Sequence, residues 1–287
     1  MGNPSVAELL AEGRATGLDP VDVRVLACAA LGVKAAWLRT HDRDVAGTEA
    51  AVKLRAWFSR RAAGEPVAYL TGHREFYGLD LAVAPGVLIP RPDTELLVEL
   101  ALERLPGSSS PFKGEVGREM GLPRVLDLGT GSGAIALAIK AQCPAAEVTA
   151  VDVSPEALAI ARANGGRLGL PVRWREGAWF GPVKGETFDL IVSNPPYIVP
   201  GDPHLSQGDL RFEPTGALVG AGDGLDDIRA IVTAAPAHLA PGGWLLFEHG
   251  FDQAPACRGI LAAAGFTDVQ SWTDLAGIER SSGGRRG

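Results

Sequence analysis

From Val125 to Ala134 the chain reads as a short apolar run, Val125-Leu126-Asp127-Leu128, followed by Gly129-Thr130-Gly131-Ser132-Gly133-Ala134 and then by helix-forming residues. A buried strand that turns through glycines into a helix fits few architectures, because glycine lets backbone come close where side chains would collide. The theme continues downstream. Val148 to Asp152, Val172 to Trp174, Leu190 to Ser193 and Trp244 to Glu248 read as strands, with helices expected from Ala134, from Pro155 and near Leu225 to His238. Alternation of this kind predicts an α/β fold, a parallel sheet with helices on both faces.

The first third is built differently. Ser5 and Glu8 are spaced as a capping box, and Asp19-Pro20 supply a cap and first helical residue ahead of Val21 to Leu31, with Gly32 past the end. A third helix is expected from Thr48 to Ala63, ending at Gly64. Residues 1–68 therefore read as a small all-helical domain. Residues 69–92, punctuated by Gly72, Gly78 and Gly86 around the β-prone Leu79 to Val83, predict a β-hairpin linker. Arg91-Pro92-Asp93-Thr94 opens an amphipathic helix through Leu105 and with it the α/β domain, residues 93–287. Residues 106–123 carry Gly-Ser-Ser-Ser-Pro without periodicity and read as a flexible insert. Thr267 to Trp272 and Ile278 onward are expected to close the sheet edge, and Ser281 to Gly287 to be frayed.

A length of 287 residues leaves room for two modules, and a net charge of −7 argues against a nucleic-acid surface spread over the protein, favouring a protein or small-molecule partner. Cys28, Cys143 and Cys257 lack paired spacing, and the five histidines show no ligand pattern, so neither a disulfide framework nor a metal site is expected. The N-terminus is unlike a signal peptide and no apolar stretch is long enough to span a bilayer, which predicts a cytoplasmic protein.

Two stretches carry chemistry. Gly129, Thr130, Gly131, Ser132 and Gly133 open a cofactor site, and Asp152, about twenty residues on at the end of the next strand, is placed to accept hydrogen bonds from ribose hydroxyls. That pattern suits a nicotinamide cofactor or S-adenosylmethionine. Asp127 favours the second, since a carboxylate before the first glycine repels pyrophosphate and attracts ammonium and sulfonium charges; capping of local N–H groups is the alternative. The other stretch, Asn194-Pro195-Pro196-Tyr197, follows the apolar run Phe188 to Ser193. The Asn194 side-chain oxygen and the Pro195 carbonyl offer two acceptors for a planar NH2 group, the prolines stiffen the loop, and Tyr197 can lie on the target's flat face. Asn-Pro-Pro is also an ordinary turn.

With both stretches in hand, the chain resembles the class I S-adenosylmethionine-dependent methyltransferases, whose sheet is Rossmann-like. Within them it resembles the PrmC/HemK family, which methylates the side-chain amide of glutamine in peptide chain release factors. The resemblance runs over nearly the whole length: Gly72 to Phe76, Leu88 to Glu95, Asp127 to Gly133, Val151-Asp152, Ser193 to Ile198, and Asp202 to Leu205 with Gly208 to Pro214. It implies that Gly129 to Gly133 hold the methionine part of the cofactor, Asp152 the ribose and Trp179 the adenine. Asn194 to Tyr197 would hold the target glutamine of a Gly-Gly-Gln loop, with the helical domain and hairpin docking the release factor. Ala178 departs from the pattern, standing where the family usually has Asp; one neutral hydrogen bond to adenine is worth about 1 kcal/mol. Arg91, Glu95, Arg211, Glu213 and Glu248 suit ion pairs or solvated charges at least as well as substrate contacts. Rival readings are methylation of an amino group on DNA or RNA or of a ribosomal-protein glutamine, a cofactor-binding module without catalysis, and a nicotinamide oxidoreductase.

Overall fold

The computed structural model describes residues 3–105 and 121–287, so residues 106–120 of the expected insert lie outside the described residues. The chain forms two units, one of residues up to His73 together with Pro203–Phe212, the other of Arg74–Asp202 and Glu213–Gly287.

The first unit holds helices α1 (Val6–Ala15), α2 (Pro20–Leu31), α3 (Ala35–Thr40), α4 (Thr48–Ala62) and α5 (Val67–Thr71). Their starts follow the local signals. The Glu8 carboxylate accepts from Ser5 N at 2.7 Å while Ser5 Oγ accepts from Glu8 N at 3.3 Å, and Asp19 Oδ1 accepts from Val21 N at 2.6 Å. Leu9, Leu26, Leu54 and Phe58 form its core. Helices α3 and α5 were not expected, being too short to show a periodic apolar face. Segment 203–212 joins this unit through Arg61, which donates to Asp22 on α2 (2.7 Å) and to Asp209 (3.0 Å), and through Arg211, which donates to the Ala63 carbonyl (2.7 Å).

The second unit starts at the hairpin of β1 (His73–Phe76) and β2 (Leu79–Ala82), followed by α6 (Glu95–Glu103). Then come β3 (Arg124–Leu128), α7 (Ala134–Gln142), β4 (Glu147–Asp152), α8 (Pro155–Leu168), β5 (Arg173–Glu176), β6 (Phe188–Ser193), α9 (Thr215–Leu218), α10 (Asp226–Ala234), β7 (Leu239–Glu248), α11 (Ala254–Ala263), β8 (Thr267–Thr273) and β9 (Glu279–Arg285). Among the described residues seven strands make one sheet in the order β5-β4-β3-β6-β7-β9-β8. Strands β5, β4, β3, β6 and β7 run parallel, and β9 pairs antiparallel with both β7 and β8.

Side chains alternate across the sheet and so build a core on each face. Val125, Leu190, Val192 and Leu246 pack with Leu97, Ala101, Ile135 and Ile139 of α6 and α7; Leu126, Leu128, Ile191 and Phe247 pack with Ile228, Ile231 and Leu261 of α10 and α11. The hairpin is tied in by Asn164 on α8, which accepts from Ala82 N (2.7 Å) and donates to the carbonyls of Ala82 and Ser132 (3.0 Å each).

One expectation is overturned. Residues 281–285 are not frayed but lie in β9, an interior strand, with Ser281 and Ser282 buried. Their small size is the reason they fit: a Cβ on Gly283 would come 2.5 Å from the Leu245 carbonyl oxygen and 2.6 Å from Leu246 Cδ2. Gly283→Val is therefore expected to destabilise the protein by about 1–3 kcal/mol or more through overpacking, read as a lower urea midpoint; an unchanged midpoint would mean the strands separate freely there.

Candidate active site

Register alone gathers the site. Leu128 pairs with Val151 on one side and with Ser193 on the other, so the residues one step further, Gly129, Asp152 and Asn194, end three neighbouring strands side by side. The sheet order also reverses here, β3 leading to β4 on one side while β6 lies on the other, which opens a crevice beyond the carboxyl ends.

In the first turn Gly129 N and Thr130 N both donate to the Val151 carbonyl, at 2.9 and 3.0 Å. Its glycines serve different ends. Gly131 sits at φ +56° with nothing within 4 Å of where a Cβ would stand, so backbone there faces open space. At Gly133 a Cβ would meet Trp174, Leu137 and Ala161 at 3.0–3.2 Å, so that glycine serves helix packing instead. Asp152 Oδ2 accepts from Gly131 N (2.7 Å) and Oδ1 from Ser154 N (2.9 Å), and each oxygen keeps a lone pair for a further donor. Trp179 is held at φ +43°, a costly conformation for a bulky residue, in the turn closed by Gly181 N donating to the Ala178 carbonyl.

These groups surround a cavity of about 470 Å³, in the size range of small-molecule sites. Gly129, Gly131, Asp152, Ala178, Trp179, Asn194 and Pro196 lie on its wall, with Val87 and Leu88 and the segment from Pro214 to Ala221 completing it. Asp127, Thr130, Ser132, Gly133, Pro195 and Tyr197 are not on that wall.

Asp127 lies fully buried beneath the turn. Its Oδ2 accepts from Thr130 Oγ1 (2.6 Å) and Ala136 N (3.2 Å), whereas Oδ1 has no partner. Burial pushes its carboxyl up to about 7, the two hydrogen bonds opposing and the Asp152 charge adding. Local capping and a spare acceptor thus coexist in one side chain.

The Asn194 to Tyr197 loop is pinned from several sides. Ile198 N donates to the Leu218 carbonyl (2.9 Å), Gln253 Nε2 to the Tyr197 carbonyl (3.1 Å), and a Cβ on Gly224 would lie 2.5 Å from that same oxygen. Asn194 Nδ2 donates to Thr94 Oγ1 (3.2 Å), Thr94 Oγ1 donates to Glu248 Oε2 (2.6 Å), and Tyr197 Oη donates to Glu248 Oε1 (3.1 Å). Burial first, and then the Glu248 carboxylate, raise the Tyr197 phenol far above its ordinary value, so it stays a donor. The Tyr197 hydroxyl is therefore anchored on Glu248, which fixes the position of the ring.

Of the charged residues left open by sequence, Arg91 pairs with Glu213, which also accepts from Ile89 N (2.9 Å). Glu95 accepts from Tyr77 N (3.0 Å), and Arg211 belongs to the helical unit. Thr94, Asn164, Gln253 and the wall from Pro214 to Ala221 were not singled out individually. Among the described residues no group of three or more His, Cys, Asp or Glu could hold a metal ion, and no helix is long and apolar enough to cross a membrane.

Two families match: the PrmC N-terminal domain over residues 6–72 and the Methyltransferase small domain over residues 118–207. The chain is 52% identical to the release factor glutamine methyltransferase of Bordetella pertussis, covering 93% of this chain and 95% of that protein. It is 50% identical to the enzyme of the same name from Burkholderia pseudomallei, covering 98% and 96%. Among solved structures, a methyltransferase from Pyrococcus furiosus matches with a TM-score of 0.54 at 21% identity over 81% of this chain and 98% of its own. The 16S rRNA N2 G1207 methyltransferase of Thermus thermophilus, solved with AdoMet and guanosine, matches with a TM-score of 0.53 at 22% identity, over 75% of this chain and 50% of its own. At these identities the two structures speak to the fold alone.

Proposed function

Because the chain belongs to the release factor glutamine methyltransferase family, we propose that it transfers the methyl group of S-adenosylmethionine to the side-chain amide nitrogen of a glutamine in peptide chain release factors. The observation that carries this reading is that Asn194, whose Oδ1 accepts nothing among the described residues, shares one cavity with Gly131 and Asp152. An acceptor for the target and a cradle for the cofactor thus face the same space.

The residues present fit the cofactor. Gly131 leaves room for close approach, Asp152 offers acceptors for a diol, Trp179 offers an aromatic wall, and the unpaired Oδ1 of Asp127 suits a cation. When bound, S-adenosylmethionine supplies an electrophilic methyl on a positively charged sulfur. What the chain must supply is a usable nucleophile, since an amide nitrogen shares its lone pair with the carbonyl.

Asn194 Oδ1 on the cavity wall would accept one amide hydrogen and the Pro195 carbonyl, off that wall and without a partner among the described residues, is assigned the other; together they would fix the plane of the group and raise electron density on nitrogen. Held by the contacts around Tyr197 and Ile198, these acceptors act by position and fixed dipoles. The nitrogen sheds a proton once alkylated, so no side chain is required as a strong base. Docking of the release factor is assigned to the helical domain, which carries the PrmC N-terminal domain match, and to the hairpin, while the glutamine of its Gly-Gly-Gln loop is assigned to the Asn194–Tyr197 loop. A cytoplasmic location follows from the substrate.

The test is incubation of the purified protein with methyl-labelled S-adenosylmethionine and, separately, release factor, ribosomal protein and nucleic acid. Label on a release-factor glutamine is expected; label confined to nucleic acid would overturn the reading.

A further inference from the structure

The geometry points to Thr94 and Glu248 as positioning residues of the transfer: a buried carboxylate fixes the direction of every hydrogen bond along Glu248–Thr94–Asn194, so that the carbonyl end of the Asn194 amide faces the target. The inference rests on the methyl-transfer reading of Asn194 and extends it to two side chains off the cavity wall.

Proton counting fixes the direction of each bond. A side-chain amide has two ends of nearly equal shape, one donating and one accepting, and only the accepting end helps a target NH2. Something must choose between them. Glu248 is buried at the end of β7, and its two oxygens are taken by Thr94 Oγ1 at 2.6 Å and Tyr197 Oη at 3.1 Å. Burial, with Asp93 nearby, raises the Glu248 carboxyl, while the Thr94 and Tyr197 hydrogen bonds and the Arg280 charge act to keep it ionised; in the ionised form it only accepts, and a hydroxyl has a single hydrogen, so the Thr94 hydrogen is then committed to Glu248. What remains at Thr94 Oγ1 is lone pairs, which call for a donor, and the one that meets them among the described residues is Asn194 Nδ2, 3.2 Å away. The amide end left over is Oδ1, which accepts nothing else among the described residues while Asn194 stands on the cavity wall. Glu248 thereby orients both the first and the last residue of the Asn194–Tyr197 loop. The side chains join α6's leading turn, the end of β6 and the end of β7, three places far apart in sequence.

Rates of release-factor methylation by Thr94→Val, Thr94→Ser and Glu248→Gln test this, with cofactor affinity and melting temperature measured alongside. Valine keeps the volume and removes the hydroxyl, freeing the amide to turn. It is expected to lower kcat about tenfold or more, as misplacement of a reacting group does, while KM for release factor and Kd for S-adenosylmethionine stay near wild type. Serine keeps the hydroxyl and is expected to restore most of kcat. In Glu248→Gln the new NH2 cannot accept, so Thr94 and Tyr197 can no longer both donate, and kcat is expected to fall as well. Wild-type kcat in Thr94→Val, or a serine variant as slow as the valine one, overturns the proposal. Should the valine variant melt too low to assay, an unchanged kcat in Glu248→Gln overturns it equally. Failure of the wild-type protein to methylate any release-factor glutamine would instead overturn the functional reading itself.

Discussion

Asn194→Ala is expected to reduce methyl transfer to a release factor by about 10²–10³-fold, the loss typical of removing one preorganised hydrogen-bonding group at a reacting centre. Cofactor binding should persist, because Gly131, Asp152 and Trp179 line the cavity independently of that side chain. The two readouts separate roles. A variant that loses both would make Asn194 mainly a cofactor residue, and a variant that turns over at the wild-type rate would remove it from the chemistry. The split should appear in kcat more than in KM, since the bond to nitrogen matters most as charge develops there. Single-turnover transfer of labelled methyl, with calorimetric titration of S-adenosylmethionine, measures both.

That Asn194 reads from sequence as a target acceptor, whereas Glu248 reads as an ion pair or solvated charge at least as well as a substrate contact and Thr94 only as part of a helix start, has a physical cause. Strands β3, β4 and β6 are apolar runs that stop abruptly at Gly129, Asp152 and the Asn194 loop, and buried parallel strands advertise their ends in this way. Once three ends are legible, register places the residues beyond them together. Thr94 and Glu248 are separated by 154 residues and meet only through the fold, so although Glu248 ends the apolar run Trp244 to Phe247, nothing local names its partner. Strand β9 is legible only at its start, where Ile278 onward reads as closing the sheet: Ser281, Ser282, Gly283 and Gly284 are buried by closeness of backbones and not by hydrophobic side chains, so their composition reads as loose chain. Helix α11 did carry a signal, with Ala254, Cys257 and Leu261 buried at helical spacing, but Pro255 and Gly259 within it blurred the pattern. The segment 203–212 follows the Asn194 loop in sequence yet packs through Arg61 and Arg211 with the helices of the first unit, a partnership only salt bridges and hydrogen bonds at long sequence separation express. Of the two readings of Asp127 open from sequence, the cap is what Oδ2 does, and the unpartnered Oδ1 is the atom proposed for a positive charge.

Asp127→Asn should move stability and cofactor binding in opposite directions. Burial holds the Asp127 carboxyl near about 7 in the folded protein, against an ordinary value of 3.8 in the unfolded chain. Between those values the folded state keeps a proton that the unfolded state has lost, so stability falls as pH rises through that window and is lowest above it. At 1.36 kcal/mol for each tenfold change in proton affinity, the rise from 3.8 to about 7 makes the ionised carboxylate cost the protein on the order of 4 kcal/mol at pH 8, and Asn escapes that cost. The variant's melting temperature should therefore exceed wild type at pH 8, with the gap closing toward acid. A cation bound above the turn favours the ionised form, so wild-type affinity for S-adenosylmethionine should strengthen as pH rises toward 7 and then level off. Hydrogen bonds to charged groups are worth about 1.5–3 kcal/mol, so Asp127→Asn should weaken binding by roughly 10- to 100-fold at pH 8 and flatten its pH dependence. A plain capping role predicts the same rise in melting temperature, which follows from burial alone, but no loss of affinity, because Asn retains an acceptor for Thr130 and Ala136. Calorimetric titrations and thermal melts at pH 6 and pH 8 decide between them, and a variant that binds as tightly as wild type at pH 8 would show that the unpaired oxygen meets no positive charge.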